Sequence, residues 1–363
     1  MGLNIGIVGL PNAGKSTIFN ALTASQVPAE AFPFCTIDPS TGVVPVPDAR
    51  LERITALYKP EKVTPTIVEF VDIAGLVKNA SQGEGLGNKF LSHIREVDAI
   101  AHVVRCFEDP NVTHVYGKID PREDIEIINT ELILADLDAV NKRLDKEKKV
   151  SRSNDKRLLA NVALLEQLKE TLDSGKPARI IVPEKEEDKK YLKELFLLTS
   201  KPILYVANTD EQHSHSERLE AVRKIAAEEK TDCVELCGKL EAEIAQLSAE
   251  EKKEFLKEMG LTEPGLNRLS RAGYHILNLI TFFTAGPKEV HAWTVHRGAK
   301  APQAAGVIHT DFEKGFIRAE TFSFADLDKL ESEAAIKSAG KYRSEGKEYL
   351  VQDGDMMLFR FNV

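Results

Sequence analysis

The feature that most constrains this chain is the octapeptide GLPNAGKS, Gly9 to Ser16, directly behind the apolar run Leu3-Asn4-Ile5-Gly6-Ile7-Val8. It fits the phosphate-loop pattern G-x-x-x-x-G-K-[ST] where such a loop has to stand, after a strand and before a helix-compatible stretch, Ser16 to Leu22. Gly9 and Gly14 let the backbone curl round a phosphate and turn N–H groups inward. Lys15 adds a point charge that reaches terminal phosphates, and the Ser16 hydroxyl can ligate Mg²⁺. The helix that follows presents its positive N-terminus to the same anion. Asn12, Ala13, Gly14, Lys15, Ser16 and Thr17 are therefore the expected phosphate contacts, on the carboxyl side of an α/β sheet.

A second signature agrees with the first. Thr66 to Ile73, TIVEFVDI, is a nearly continuous apolar strand suited to a sheet covered on both faces. It delivers Asp72-Ile73-Ala74-Gly75. An acidic residue at a strand's carboxyl end, then glycine, suits a protein that holds Mg²⁺ and senses the last phosphate. Asp72 is assigned as a water-mediated metal ligand and Gly75 as a nucleotide contact. Further parallel strands are expected at Ala99 to Val104 and Pro202 to Ala207, and a last core strand at Cys233 to Leu236.

Between them the texture changes. From about Arg122 to Leu172 the chain is long, charged and almost free of glycine and proline. Ile133, Leu137, Val140 and Leu144 form one stripe, and Leu158, Val162, Leu165, Leu168 and Leu172 a second. A turn at Ser151 to Asp155 makes this an antiparallel helical hairpin inserted into the sheet domain. Basic residues outnumber acidic ones at its tip, through Lys142, Arg143, Lys146, Lys148, Lys149, Arg152, Lys156 and Arg157. An ordinary solvated helix end and a contact to ribosomal or other RNA are equally good readings of that tip. From about Asn278 short strands alternate with glycine-containing turns, and a helix fits Phe324 to Ser338, which gives a small α+β module. The expected segments are 1–121 and 200–277 for the split nucleotide-binding domain, 122–199 for the helical insertion and 278–363 for the last module.

Size and charge set limits. The 363 residues allow two or three domains with a substantial core. A formal charge of -9 argues against coating nucleic acid with the whole surface, while leaving local basic patches open. Cys35, Cys106, Cys233 and Cys237 lack metal-ligand spacing and read as free thiols. No apolar run is long enough to span a bilayer and no signal core precedes the first strand, so a cytoplasmic protein without membrane contact is expected.

The set GLPNAGKS, FPFCT, DIAGL, GEGLG and NTDE, with FFTAGPKEVHAW, AGVIHTDFEKGFIRAE and GDMMLFRF near the end, resembles the YchF subfamily of Obg-like, translation-factor-related P-loop NTPases. The resemblance covers essentially the whole chain. It implies a G-domain-like sheet, a helical insertion and a β-grasp-like TGS domain. It also implies a monomer with a regulatory role at the ribosome or its large subunit, and a TGS-like domain that shares in RNA contact.

Relatives that prefer GTP read N-K-x-D where this chain has Asn208-Thr209-Asp210-Glu211. There the aspartate accepts from the guanine ring N–H and exocyclic amine. Thr209 removes the lysine stem over the base, and Glu211 sets the carboxylate one methylene out of register. A lost bidentate base contact costs roughly 1–3 kcal/mol. The case for GTP is thus weakened, and the resemblance implies ATP first and GTP more weakly. Asn208 and Glu211 are candidate base contacts, and Cys237 and Gly238 fall where the resemblance places a base-facing loop. Leu76 stands where many GTPases carry a water-orienting glutamine, so slow hydrolysis by the free protein is expected. The resemblance points to His114 for that task and to Thr36 as the threonine that closes on phosphate and Mg²⁺. A GTPase of ordinary preference, and a nucleotide-gated RNA-binding module with incidental hydrolysis, are the alternatives.

Overall fold

The computed structural model describes residues 3–24, 40–73, 85–150, 155–211 and 216–362. In chain order they form β1 (Asn4–Val8), α1 (Lys15–Ala24), β2 (Thr41–Pro45), α2 (Ala49–Tyr58), β3 (Lys62–Thr64), β4 (Ile67–Asp72), α3 (Gly85–Glu96) and β5 (Ala99–Arg105). Next come α4 (Pro121–Val150), α5 (Lys156–Asp173), α6 (Glu186–Glu194), β6 (Ile203–Asn208), α7 (Ser216–Glu228), β7 (Cys233–Leu236), α8 (Gly238–Ile244), α9 (Ala249–Glu258) and α10 (Gly265–Ile276). The chain ends with β8 (Leu279–Ala285), β9 (Glu289–His296), α11 (Ala301–Ile308), α12 (Thr310–Lys314), β10 (Phe316–Ser323), α13 (Phe324–Leu330), α14 (Glu333–Ser338), β11 (Arg343–Glu345) and β12 (Asp355–Phe361).

Two compact units result. The first holds the described residues up to 24, 40–42 and 69–269; the second holds 43–68 and the chain from 270. The sheet of the first unit runs β2-β4-β1-β5-β6-β7. β1 pairs in parallel with both β4 and β5, and the parallel run continues through β6 to β7. Every residue of β5 and β6 is buried, which is why both read as unbroken apolar runs. Because β1 has β4 on one side and β5 on the other, the chain reverses its winding there, and the crevice beyond the carboxyl ends of such strands is where ligands bind.

The inserted helices form as the two stripes dictate. Ile133, Val140 and Leu144 of α4 pack with Leu164, Leu165, Leu168 and Leu172 of α5, with Leu137 and Val162 partly buried beside them. Asp155 caps α5 by accepting from the Arg157 N–H. Asp136, fully buried, ties α4 to the turn before β6 by accepting from the N–H groups of Leu198 and Thr199, at 2.8 Å each.

The second unit is a six-stranded sheet in the order β11-β10-β12-β8-β9-β3, with β12 and β8 parallel at its centre. The terminal stretch carries more helices than the one expected at Phe324 to Ser338. Phe282 faces Ala301, Ala304 and Ala305 of α11. Its neighbour Phe283 points the other way, into a second core with Leu51 and Ile54 of α2, Leu327 and Ile336. Residues 43–68, placed by sequence in the first part of the nucleotide-binding domain, thus supply a helix and an edge strand to the terminal unit. The single helix expected over Phe324 to Ser338 is two. Glu331 turns left-handed (φ 58°) and Ser332 caps a new start by accepting from Ala335.

Candidate functional site

The carboxyl end of β1 is pressed against its neighbour. A Cβ on Gly9 would stand 2.4 Å from the Val103 carbonyl, so only glycine lets the chain turn there. Asn12 (φ 64°) and Gly14 (φ 94°) then take left-handed conformations that curl the loop. Lys15 is 8 % exposed, and its ammonium donates to the Leu10 carbonyl at 2.9 Å inside the curl. Burial lowers its pKa, opposed by the nearby negative charge of Asp72; burial correspondingly raises that of Asp72, opposed by Lys15.

This loop forms one end of a cavity of about 870 Å³, a volume that suits a nucleotide-sized ligand. Asn12, Gly14, Lys15, Ser16 and Thr17 line that end. Asn208, Glu211 and Cys237 line the cavity as well. Ala13 and Gly238 stand behind the wall, and Asn208 joins them. The Asn208 amide donates to the Ala13 carbonyl and its oxygen accepts from the Gly238 N–H, both at 2.9 Å. Asn208 is 3 % exposed, so it is first a strut between the phosphate loop and the start of α8, a role that reading it as a base contact did not foresee. Thr209 folds back, its N–H on the Leu236 carbonyl. Glu211 reaches across to Lys239, with Oε1 2.8 Å from Nζ. Cys237 is buried with Leu240 and Ile244, and burial raises its thiol pKa.

The segment after β5 forms another wall. Phe107, Glu108, Asp109 and Val112 line the cavity. Arg105, 2 % exposed, holds this segment from behind by donating to the carbonyls of Phe107 and Val112, with its guanidinium 4.6 Å from the Phe107 ring centre. Asn12 of the phosphate loop donates to the Thr113 carbonyl at 3.0 Å. His114, the next residue, is not brought to the cavity. Its Nδ1 accepts from the Tyr116 N–H, which leaves the proton on Nε2 to face Asp124 Oδ2 at 3.1 Å. Both side chains are about 5 % exposed, since the pair is sealed under the start of α4. Desolvation raises the Asp124 pKa, and the His114 contact opposes it.

Thr36, Gly75 and Leu76 lie outside the described residues, as do Cys35, Arg152, His213 and His215. Among the described residues no three His, Cys, Asp or Glu side chains cluster as a metal site. The donors at the phosphate end are the exposed Ser16 hydroxyl and the partly buried Asp72 carboxylate, both hard oxygens. Such a sparse oxygen set fits Mg²⁺, which keeps waters and completes its shell with phosphate. Part of the basic tip is paired within the chain. Lys142 meets Asp138, Arg143 meets Glu147, Lys148 meets Glu166 and Arg157 meets Asp188, all within 2.7 Å. No helix among the described residues is long and apolar enough to cross a membrane.

A parallel sheet with a glycine-turned loop, a buried lysine and a helix at its switch point defines a P-loop nucleoside triphosphatase. The family model MMR_HSR1, described as "50S ribosome-binding GTPase", matches residues 4–135, and YchF-GTPase_C, described as "Protein of unknown function (DUF933)", matches 279–362. Proteins named "Ribosome-binding ATPase YchF" from Bacillus subtilis (strain 168) and Escherichia coli O157:H7 are each 55% identical, over 100% of both chains. The solved structure titled "Structure of the Schizosaccharomyces pombe YchF GTPase" superposes with a TM-score of 0.89 at 38% identity, covering 99% of this chain and 98% of that one. This chain belongs to the YchF family.

Proposed function

We propose that this chain is a Mg²⁺-dependent, ribosome-associated ATPase that takes ATP in preference to GTP and releases ADP and phosphate. The observation that carries the reading is one cavity with a complete phosphate loop at one end and, at the other, a guanine-type motif whose carboxylate is lengthened and ion-paired. Lys15 would leave the Leu10 carbonyl for the terminal phosphates, and the amides of the loop would hold the rest of the tail. Ser16 and Asp72, with Thr36, would hold Mg²⁺, which neutralises charge on the phosphates when bound. His114 would orient the attacking water once its ring exchanges Asp124 for solvent, and Asn12 links the phosphate loop to that segment through Thr113.

The second unit is read as a TGS-like domain that, with the helical tip, faces ribosomal RNA. Exposed Lys146, Lys149 and Lys156 carry the tip's part. Guanine preference is the competing reading, favoured by the two matches described as GTPases. Titration of ATP and GTP under identical salt and Mg²⁺, with Lys15→Ala alongside, decides between them. Tighter ATP binding that Lys15→Ala abolishes is expected; tighter GTP binding overturns the preference, and binding indifferent to Lys15→Ala overturns the site.

A further inference from the structure

We infer that the Glu211–Lys239 ion pair is a specificity-determining element of this site, in which Lys239 withholds from guanine the carboxylate that guanine recognition needs. The inference rests on reading the cavity as a purine nucleotide site. Glu211 follows β6 and Lys239 is the second residue of α8, so the contact joins two different walls of the cavity.

Lys239 is held in place from below. The Gly238 N–H is fixed on Asn208, and the buried Glu241 carboxylate accepts from the N–H groups of Gly265 at 2.6 Å and Leu266 at 3.2 Å. The base of the lysine therefore does not drift, and only its stem moves. Glu243 adds a second negative charge that, with Glu211, favours the Lys239 ammonium.

A guanine ring presents a ring N–H and an exocyclic amine on one edge and needs both oxygens of a carboxylate to meet them. Here Oε1 already accepts from the Lys239 ammonium at 2.8 Å. Guanine must therefore share Oε1 with that cation or displace it. Adenine has no exocyclic amine at that edge and a ring acceptor in place of the ring donor, so it makes no demand on Glu211 and leaves the pair intact. The side chains are 41% and 74% exposed, respectively, so the pair is weak and the discrimination it adds is modest.

Lys239→Met, which keeps the apolar stem, is the direct test, with ATP and GTP dissociation constants measured by calorimetry on the full chain. GTP binding should tighten by roughly 2- to 5-fold, the factor an exposed pair can supply, while ATP binding stays level. Adding Glu211→Gln to that variant should cancel the gain. Equal changes for both nucleotides, or a gain that survives Glu211→Gln, would overturn the inference. Failure of the underlying site reading shows separately, in wild-type protein that binds neither purine.

Discussion

Asn208 offers the sharpest test of how the two ends of the cavity are held together. Its side chain, almost fully buried, makes two neutral hydrogen bonds of 2.9 Å. Asn208→Ala removes both and leaves the Gly238 N–H and the Ala13 carbonyl without those partners. A neutral bond contributes about 0.5–1.5 kcal/mol net, and a stranded buried group costs about 1–3 kcal/mol, so a loss of about 2–4 kcal/mol is expected. Urea unfolding reads it as a lower midpoint at unchanged slope. ATP affinity should fall with it, because the phosphate loop and the start of α8 lose their common strut.

Gly14 makes the test stricter. A Cβ there would stand 2.1 Å from Asn208 Nδ2, and the backbone is left-handed besides. Gly14→Ala thus combines a clash with backbone strain of about 1–3 kcal/mol. In the Asn208→Ala background the clash is gone and the strain remains. The double variant should be less unstable than the sum of the singles by about 1–2 kcal/mol. Additive effects, or an Asn208→Ala cost under about 0.5 kcal/mol with ATP affinity unchanged, would refute the strut.

Other outcomes follow from the same contacts. His114→Ala should lower turnover by about tenfold or more while leaving ATP affinity nearly intact, and normal turnover would reject its role in orienting water. Reversing Lys146, Lys149 and Lys156 to glutamate should weaken ribosome association and flatten its salt dependence by roughly 2–3 in the log–log slope; an unchanged slope removes the tip from the contact. Burial holds His291 down to about 4, although Glu289 opposes this, and an unfolded histidine titrates near 6.5. The folded state therefore binds fewer protons, and stability that is complete above about pH 6.5 declines as pH falls toward 4, by on the order of 3 kcal/mol. His291→Phe keeps a ring on Trp293, which His291 stacks at 3.6 Å, and should flatten that decline in acid unfolding curves.

What could be read from the sequence was what neighbours in sequence decide. GLPNAGKS needs only its own glycines and the strand before it, so loop, lysine and helix stand where the pattern puts them. β5 and β6 were legible because strands buried on both faces leave a continuous apolar run. The destination of α2 was not legible. Leu51 and Ile54 mark an amphipathic helix, but whether that face meets the parallel sheet or Phe283 and Val290 depends on residues more than 200 positions away. The break between α13 and α14 left a trace in Ser332, a capping residue type, which the strong helical pattern around it masked.

The basic tip shows how counting charges misleads. The pairs Lys142–Asp138 and Arg143–Glu147 follow from i,i+4 spacing and were open to inspection. Lys148–Glu166 and Arg157–Asp188 close only when separate helices come together, and no spacing within one helix announces them. The base end of the cavity has the same character. Asn208 and Glu211 announce themselves as a motif, yet what each can offer a ligand is set by Gly238 and Lys239 on another element. A base-recognition motif names the groups present, while the elements packed against it decide which of them remain available to bind.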